Sequence, residues 1–148
     1  VTVIIDANVL IKAYIPENQS EKAEEIFNDA VKGRLFLIAP DLIYPEIGNI
    51  LWKKHRLDEL TEIEVKEISK EILSLPLKIE ASKPLINLAI ELSLLYDITV
   101  YDALYFSLAL SYDTKLITAD KKLVNKLKTS EHKQYIEWLG EYVCKKSS

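Results

Sequence analysis

The sequence predicts an α/β fold of three layers, with helices on both faces of a mostly parallel sheet. Two observations carry this. Strand-length apolar runs alternate with helix-length amphipathic stretches along the chain, and right-handed crossovers turn such an alternation into a parallel sheet between helical layers. The opening run "VTVIID" is apolar at successive positions, as a strand covered on both faces requires.

Residues 1 to 6 are therefore the first strand, followed by a short helix from Ala7 to Tyr14 that Pro16 stops. The stretch "SEKAEEIFNDAVKG" predicts a helix with Ala23, Ile26, Phe27, Ala30 and Val31 on one face and a stop at Gly33. "LFLIA" reads as a buried strand. Asp41 is placed to cap a helix running to about Lys54, in which Pro45 and Gly48 are locally unfavourable. Thr61 with Glu64 makes a capping box for a helix to about Leu73 that carries Ile63, Ile68 and Ile72 inward. "LPLKIE" is a third strand, Ser82 caps "KPLINLAIELSLLY", and Thr99 or Val100 opens "YDALYFSLALSY". "KLIT" is a short strand, "DKKLVNKLK" the last full helix, and "QYIEWLGEY" a closing strand.

At 148 residues the chain suits one domain, expected over residues 1 to 143, with residues 144 to 148 as a flexible tail. A domain of about 150 residues buries roughly 70% of the surface its unfolded chain exposes, enough for a real core. No run approaches the roughly 20 apolar residues of a membrane span, and the start reads as a strand rather than a signal peptide. A cytoplasmic protein without membrane contact is expected. Cys144 is the single cysteine, so it supplies neither an intramolecular disulfide nor a metal framework. A net charge of -4 argues against a generally basic, phosphate-coating surface. Clustered acids, however, can hold cations that bridge to phosphate.

In open parallel sheets ligands bind outside the carboxyl ends of the strands, and acids are found there. Asp6 ends the first strand, and Asp120 lies two residues past "KLIT". Asp102 sits in the first turn of an apolar helix, and Glu46 in the first turns of the helix after "LFLIA". Each has an ordinary structural explanation: Asp102 at a favourable helix start, Asp120 as a cap, Glu46 as a solvated helix residue. Asp6 is harder to explain, because an ionised acid beside an apolar strand is costly to bury without a partner. Two carboxylates 4 Å apart repel by about 4 kcal/mol at an effective dielectric near 20, so converging acids require cations. Oxygen ligands without histidine suit Mg²⁺ or Mn²⁺ better than Zn²⁺, the equipment of metal-assisted phosphodiester hydrolysis. Asn8 could orient a metal water or phosphate, or cap a helix, and Thr118 could place its hydroxyl beside the metal.

At these residues the sequence resembles the PIN-domain family of metal-dependent ribonucleases, and within it the VapC-type toxins of toxin-antitoxin pairs. The resemblance rests on "VIIDANVLIKAY", "APDLIYPEIGNILWK" and "VYDALYFSLALSYDTKLITADKKL", in that order. It implies a three-layer sandwich around a five-stranded sheet, a homodimer, and RNA cleavage with Mg²⁺ or Mn²⁺ that leaves a 5′-phosphate and a 3′-hydroxyl. It places Asp6, Glu46, Asp102 and Asp120 at the family's acidic positions, Asn8 at a small polar position and Thr118 at the hydroxyl ahead of the last acid. It also implies a small antitoxin partner whose tail lies in a groove near the site. Some members carry a further acid after the last aspartate, where this chain has Lys121 and Lys122, and Pro45 directly before Glu46 bears on the local helix geometry.

"WKKHR" at residues 52 to 56, with Lys12, Lys121 and Lys122, offers contacts to RNA phosphates and a stacking surface on Trp52. A solvated helix end, with cations at its favourable C-terminus, is the simpler explanation of "WKKHR". The helical stretches from Glu21 to Val31 and from Ile63 to Ile72 are candidates for the antitoxin groove or the dimer seam, or are ordinary core. Two other functions stand beside the nuclease. One is a PIN-fold RNA-binding or scaffold protein. The other is a phosphatase with Asp6 as nucleophile, for which the second acid is missing, because Asn8 stands two residues on.

Overall fold

A computed structural model describes residues 1–16 and 18–143. Five strands form the sheet: β1 (Thr2–Ile5), β2 (Phe36–Pro40), β3 (Leu77–Glu80), β4 (Leu116–Thr118) and β5 (Ile136–Trp138). Among the described residues seven α-helices intervene: α1 (Ala7–Lys12), α2 (Ser20–Val31), α3 (Ile43–Arg56), α4 (Glu62–Leu73), α5 (Ile86–Tyr96), α6 (Val100–Ser111) and α7 (Lys121–Leu127). The strands lie in the order β3-β2-β1-β4-β5, and every pair is parallel. Val3, Ile4 and Ile5 of the central strand are all buried. Successive residues of a strand point to opposite faces, so both faces of the sheet are covered and the fold is the expected α/β/α sandwich.

The central place of β1 follows from its composition, since only a strand apolar on both faces can sit in the middle of such a sheet. The edge strand β3 is only half-buried. Helix α6 buries seven consecutive residues, Ala103 to Ala109, and packs on β1, β2 and α5. Its near-uniform apolarity is that of a helix enclosed on most sides. Among the described residues no single helix is long and apolar enough to cross a membrane.

Several local expectations are corrected. Asp41 does not cap α3, which starts from Leu42 without a side-chain cap. Ser82 likewise caps nothing. The two bond to each other instead: the Ser82 hydroxyl and its backbone N–H both donate to the Asp41 carboxylate, fastening the end of β2 to the end of β3. The Ser82 hydroxyl also holds Asp41 below the usual carboxylate range. Pro45 is harmless because α3 begins at Ile43, so the missing N–H falls in the first turn, where amides have no helical acceptor.

Val31 and Ile63 are not inward; they are 61% and 69% exposed. Both lie at helix ends, and α4 buries only Ile72 fully, because it packs chiefly on α3 and so covers a narrow stripe. The Thr61–Glu64 capping box forms in both directions, at 3.1 and 3.0 Å. The closing strand is shorter than "QYIEWLGEY": three residues of β5, flanked by single 3₁₀ turns. The expected C-terminal tail lies outside the described residues.

Candidate metal and nuclease site

The sheet order sets β1 beside β4, so the residues that follow these strands share one edge. Asp6 leaves β1 and caps α1: its Oδ1 accepts from the Val9 N–H at 2.9 Å. Its Oδ2 accepts from the Thr118 hydroxyl at 2.6 Å. Thr118 is fully buried at the end of β4, and its oxygen also accepts from the Asp120 N–H at 3.1 Å. One threonine therefore links the first acid to the backbone of the last. Asp120 caps α7, with Oδ1 accepting from the N–H groups of Lys122 and Leu123 at 2.9 and 3.2 Å. The capping explanation for Asp120 is thus correct, and Asp6 proves to be a cap as well; neither cap competes with a site, because each spends one carboxylate oxygen on helix amides and fixes the side chain at the sheet edge.

Asp102 occupies the first turn of α6, its N–H bonded to the Thr99 hydroxyl at 3.1 Å. Glu46 comes from the first turn of α3. The charges of these acids act on one another. Burial pushes Asp6 up to about 6, against the lowering effect of the Thr118 and Val9 hydrogen bonds, and the charges of Asp102 and Glu46 push in the same direction as burial. Asp102 is raised by burial and then by the charge of Asp120, partly offset by Thr99 and Lys126. Glu46 is raised by burial and by Asp102, and lowered by a hydrogen bond from Tyr105. Asp102 is the hub, coupled to each of the other three.

Hydrogen bonds through Thr118 and mutual charge effects therefore link the four predicted acids at the carboxyl edge of the sheet, where such folds have their crevice. The structure does not close them into a finished shell: among the described residues no group of three His, Cys, Asp or Glu side chains stands ready to hold a metal ion. Repulsion between carboxylates favours such an open arrangement. The donor chemistry fits a hard divalent cation, because every group is an oxygen ligand and burial leaves the charges short of compensation. Asn8 is exposed in the first turn of α1, and the cap it could have supplied comes from Asp6.

Two contributors were not anticipated. Tyr105 is buried on α6, one turn after Asp102, and its hydroxyl donates to Glu46 Oε1 at 2.6 Å. The three-residue spacing from Asp102 places both on one helical face, a signal available in the sequence. Trp138 pairs in register with Thr118 at the same sheet edge, and the Lys121 ammonium sits 4.0 Å from the centre of its ring. A Cβ on Gly140 would come within 2.4 Å of the Trp138 ring, so the indole occupies space that only glycine leaves free. No sequence pattern announces that contact. The "WKKHR" segment follows its plainer explanation, with Arg56 stacked on Trp52, Lys54 paired with Glu59 and His55 bonded to the Leu60 carbonyl. A cavity of about 500 Å³ lies at the opposite, amino end of the sheet, lined by Val1, Leu35, Thr114 and Tyr142 among others, and none of the four acids lines it.

Comparison with known proteins places the chain in a family. The PIN domain family matches residues 3–127, a span that includes all four acids. The chain is 34% identical over 125 residues to Ribonuclease VapC3 of Pyrobaculum aerophilum, covering 83% of this chain and 92% of that one. The crystal structure of PAE2754 from Pyrobaculum aerophilum superposes with a TM-score of 0.67 at 25% identity, over 95% of this chain and 85% of the other. A toxin-antitoxin complex from Klebsiella pneumoniae shares the fold at a TM-score of 0.56 and 16% identity, over 81% and 88% of the two chains. With a match over most of its length, a relative of this identity and four acids at one sheet edge, the chain belongs to the PIN domain family.

Proposed function

We propose that this protein is an Mg²⁺- or Mn²⁺-dependent endoribonuclease, the toxin of a VapBC-type toxin-antitoxin pair. The observation that carries the proposal is the convergence of Asp6, Glu46, Asp102 and Asp120 at the carboxyl edge of the sheet, with Asp102 electrostatically coupled to the other three. Likeness to Ribonuclease VapC3 supports RNA as the substrate.

Asp6, Asp102 and Asp120 would hold the cation, and Glu46 would complete the set. When bound, the ion supplies activation of water and neutralisation of charge on the scissile phosphate. The chain's own groups do the remaining work. Thr118 and the Val9 amide fix the direction of Asp6. The α7 amides fix Asp120, leaving its second oxygen for ligation. Lys121, stacked on Trp138 beside Asp120, and Lys122 supply positive charge at the rim, where an RNA backbone needs it. No side chain acts as a covalent nucleophile, and the products are a 5′-phosphate and a 3′-hydroxyl. The reading includes a small antitoxin partner, a homodimer and action in the cytoplasm; the toxin-antitoxin complex among the fold's relatives supports the first of these.

The test uses purified protein freed of any co-purifying partner, incubated with a mixed RNA pool in Mg²⁺, Mn²⁺ or EDTA beside an Asp102→Asn variant. Cleavage that requires the cation and falls at least about 100-fold in the variant supports the proposal. RNA retained without cleavage under either cation would favour the RNA-binding or scaffold role. Hydrolysis of a small phosphomonoester, with RNA untouched, would favour the phosphatase.

A further inference from the structure

Helix α6 is enclosed and apolar, yet it carries a phenol into the crevice. Tyr105 is 3% exposed, and its hydroxyl donates to Glu46 Oε1 at 2.6 Å. A phenol has one hydrogen to give, and here it goes to Glu46.

Glu46 is bonded to this hydroxyl, and Asp102 stands one turn away on the same helix as Tyr105. A glutamate on a surface helix samples many rotamers and can present either oxygen or both. Here Oε1 is occupied by the phenol, and Oε2 has no hydrogen bond among the described residues.

We propose that Tyr105 is a positioning residue of the nuclease centre: its hydroxyl ties Glu46 to the buried helix α6, so that Glu46 offers Oε2 alone as a ligand. This rests on the metal-dependent nuclease reading. Tyr105 touches neither substrate nor cation, and its influence passes entirely through Glu46.

Four proteins test it: wild type, Tyr105→Phe, Glu46→Gln and the double variant. Phenylalanine keeps the ring that fills the core and removes only the hydroxyl. Mn²⁺ affinity is measured by titration calorimetry on metal-freed protein, RNA cleavage is followed across a Mn²⁺ titration, and thermal unfolding in EDTA fixes a working temperature at which every variant is folded. Tyr105→Phe is expected to weaken Mn²⁺ binding about 10-fold and to raise the Mn²⁺ needed for half-maximal cleavage by the same factor. Cleavage at saturating Mn²⁺ returns close to the wild-type rate. In the Glu46→Gln background the same substitution changes Mn²⁺ affinity by less than about twofold, because the two groups act as one unit.

A Tyr105→Phe protein that binds Mn²⁺ as wild type does would overturn the assignment, as would one that loses the same factor whether or not Glu46 is present. The wild-type titration separates these failures from a failure of the nuclease reading. If wild type neither binds Mn²⁺ nor cleaves RNA, the metal-dependent site falls and the role of Tyr105 falls with it.

Discussion

Replacing Asp6 with asparagine should make the metal-free protein more stable at neutral pH while removing its reason to bind a cation. Burial holds the Asp6 carboxyl at about 6 against an ordinary value of 3.8, so the folded chain binds this proton more tightly than the unfolded one. The associated stability is fully present below pH 3.8 and is lost as pH rises through about 6. Each pH unit between those values is worth about 1.4 kcal/mol, which puts the loss at about 3 kcal/mol. That is an upper limit, because the side chain keeps partial contact with solvent. Asparagine caps helices as well as aspartate and can still accept from the Val9 amide, but it forgoes a charge at the helix start worth about 0.3–1 kcal/mol. The net gain at pH 7.5 in EDTA is therefore about 2 kcal/mol, or a rise of about 4–8 °C in melting temperature for a chain of this size. Thermal and urea unfolding of both proteins at pH 5 and 7.5 measure it, and the gap should shrink at the lower pH. In Mn²⁺ at about 100 times its dissociation constant the wild type alone gains about 2.7 kcal/mol, and the order reverses. Equal stabilities at pH 7.5 in EDTA, or a less stable variant, would refute the claim that Asp6 is an uncompensated buried charge.

Because Asp6, Glu46 and Asp102 are all raised by burial and mutual repulsion, Mn²⁺ must displace protons at mildly acidic pH. Calorimetry in buffers of different ionisation enthalpy should show proton release and an affinity that climbs from pH 5 to 7. Thr118→Val removes the hydroxyl that bonds Asp6 and receives the Asp120 amide; hydrogen bonds to charged groups are worth about 1.5–3 kcal/mol. Urea unfolding at neutral pH should show a loss of that order, together with weaker Mn²⁺ binding. Thr61→Ala breaks the capping box of α4 and should cost about 1 kcal/mol with RNA cleavage unchanged at 25 °C, since α4 contributes nothing to the crevice; a fall in cleavage there would tie α4 to substrate binding.

The fold was legible because the alternation of apolar runs leaves few topologies open, and three of the acids were legible because each stands at a strand end or a helix start. Their capping roles and their placement in the site have the same cause: the carboxyl edge of a parallel sheet is where helices begin. Contacts between distant segments were not legible. Asp41 and Ser82 each look like a cap beside its own helix, and only the pairing of β2 with β3 shows that they satisfy one another. Ile63 and Val31 fit a helical stripe, but periodicity gives the direction of an apolar face and not how far its neighbour extends along it. Tyr105 was within reach from its spacing to Asp102, whereas the Trp138–Lys121 contact depends on the register of β5 against β4, which local sequence does not encode.

The hydrogen bond between Thr118 and Asp6 joins positions 112 residues apart, and that separation has a meaning during synthesis. At about 5–20 residues per second, roughly 5–20 s pass between the appearance of Asp6 and that of Asp102, and β4 comes later still. Through that interval the growing polypeptide has Asp6 and Glu46 but neither α6 nor the strand that pairs beside β1. Under the proposed nuclease reading the nascent chain is inert through that interval, and the acidic centre is assembled only once Thr118 and Asp120 have been made.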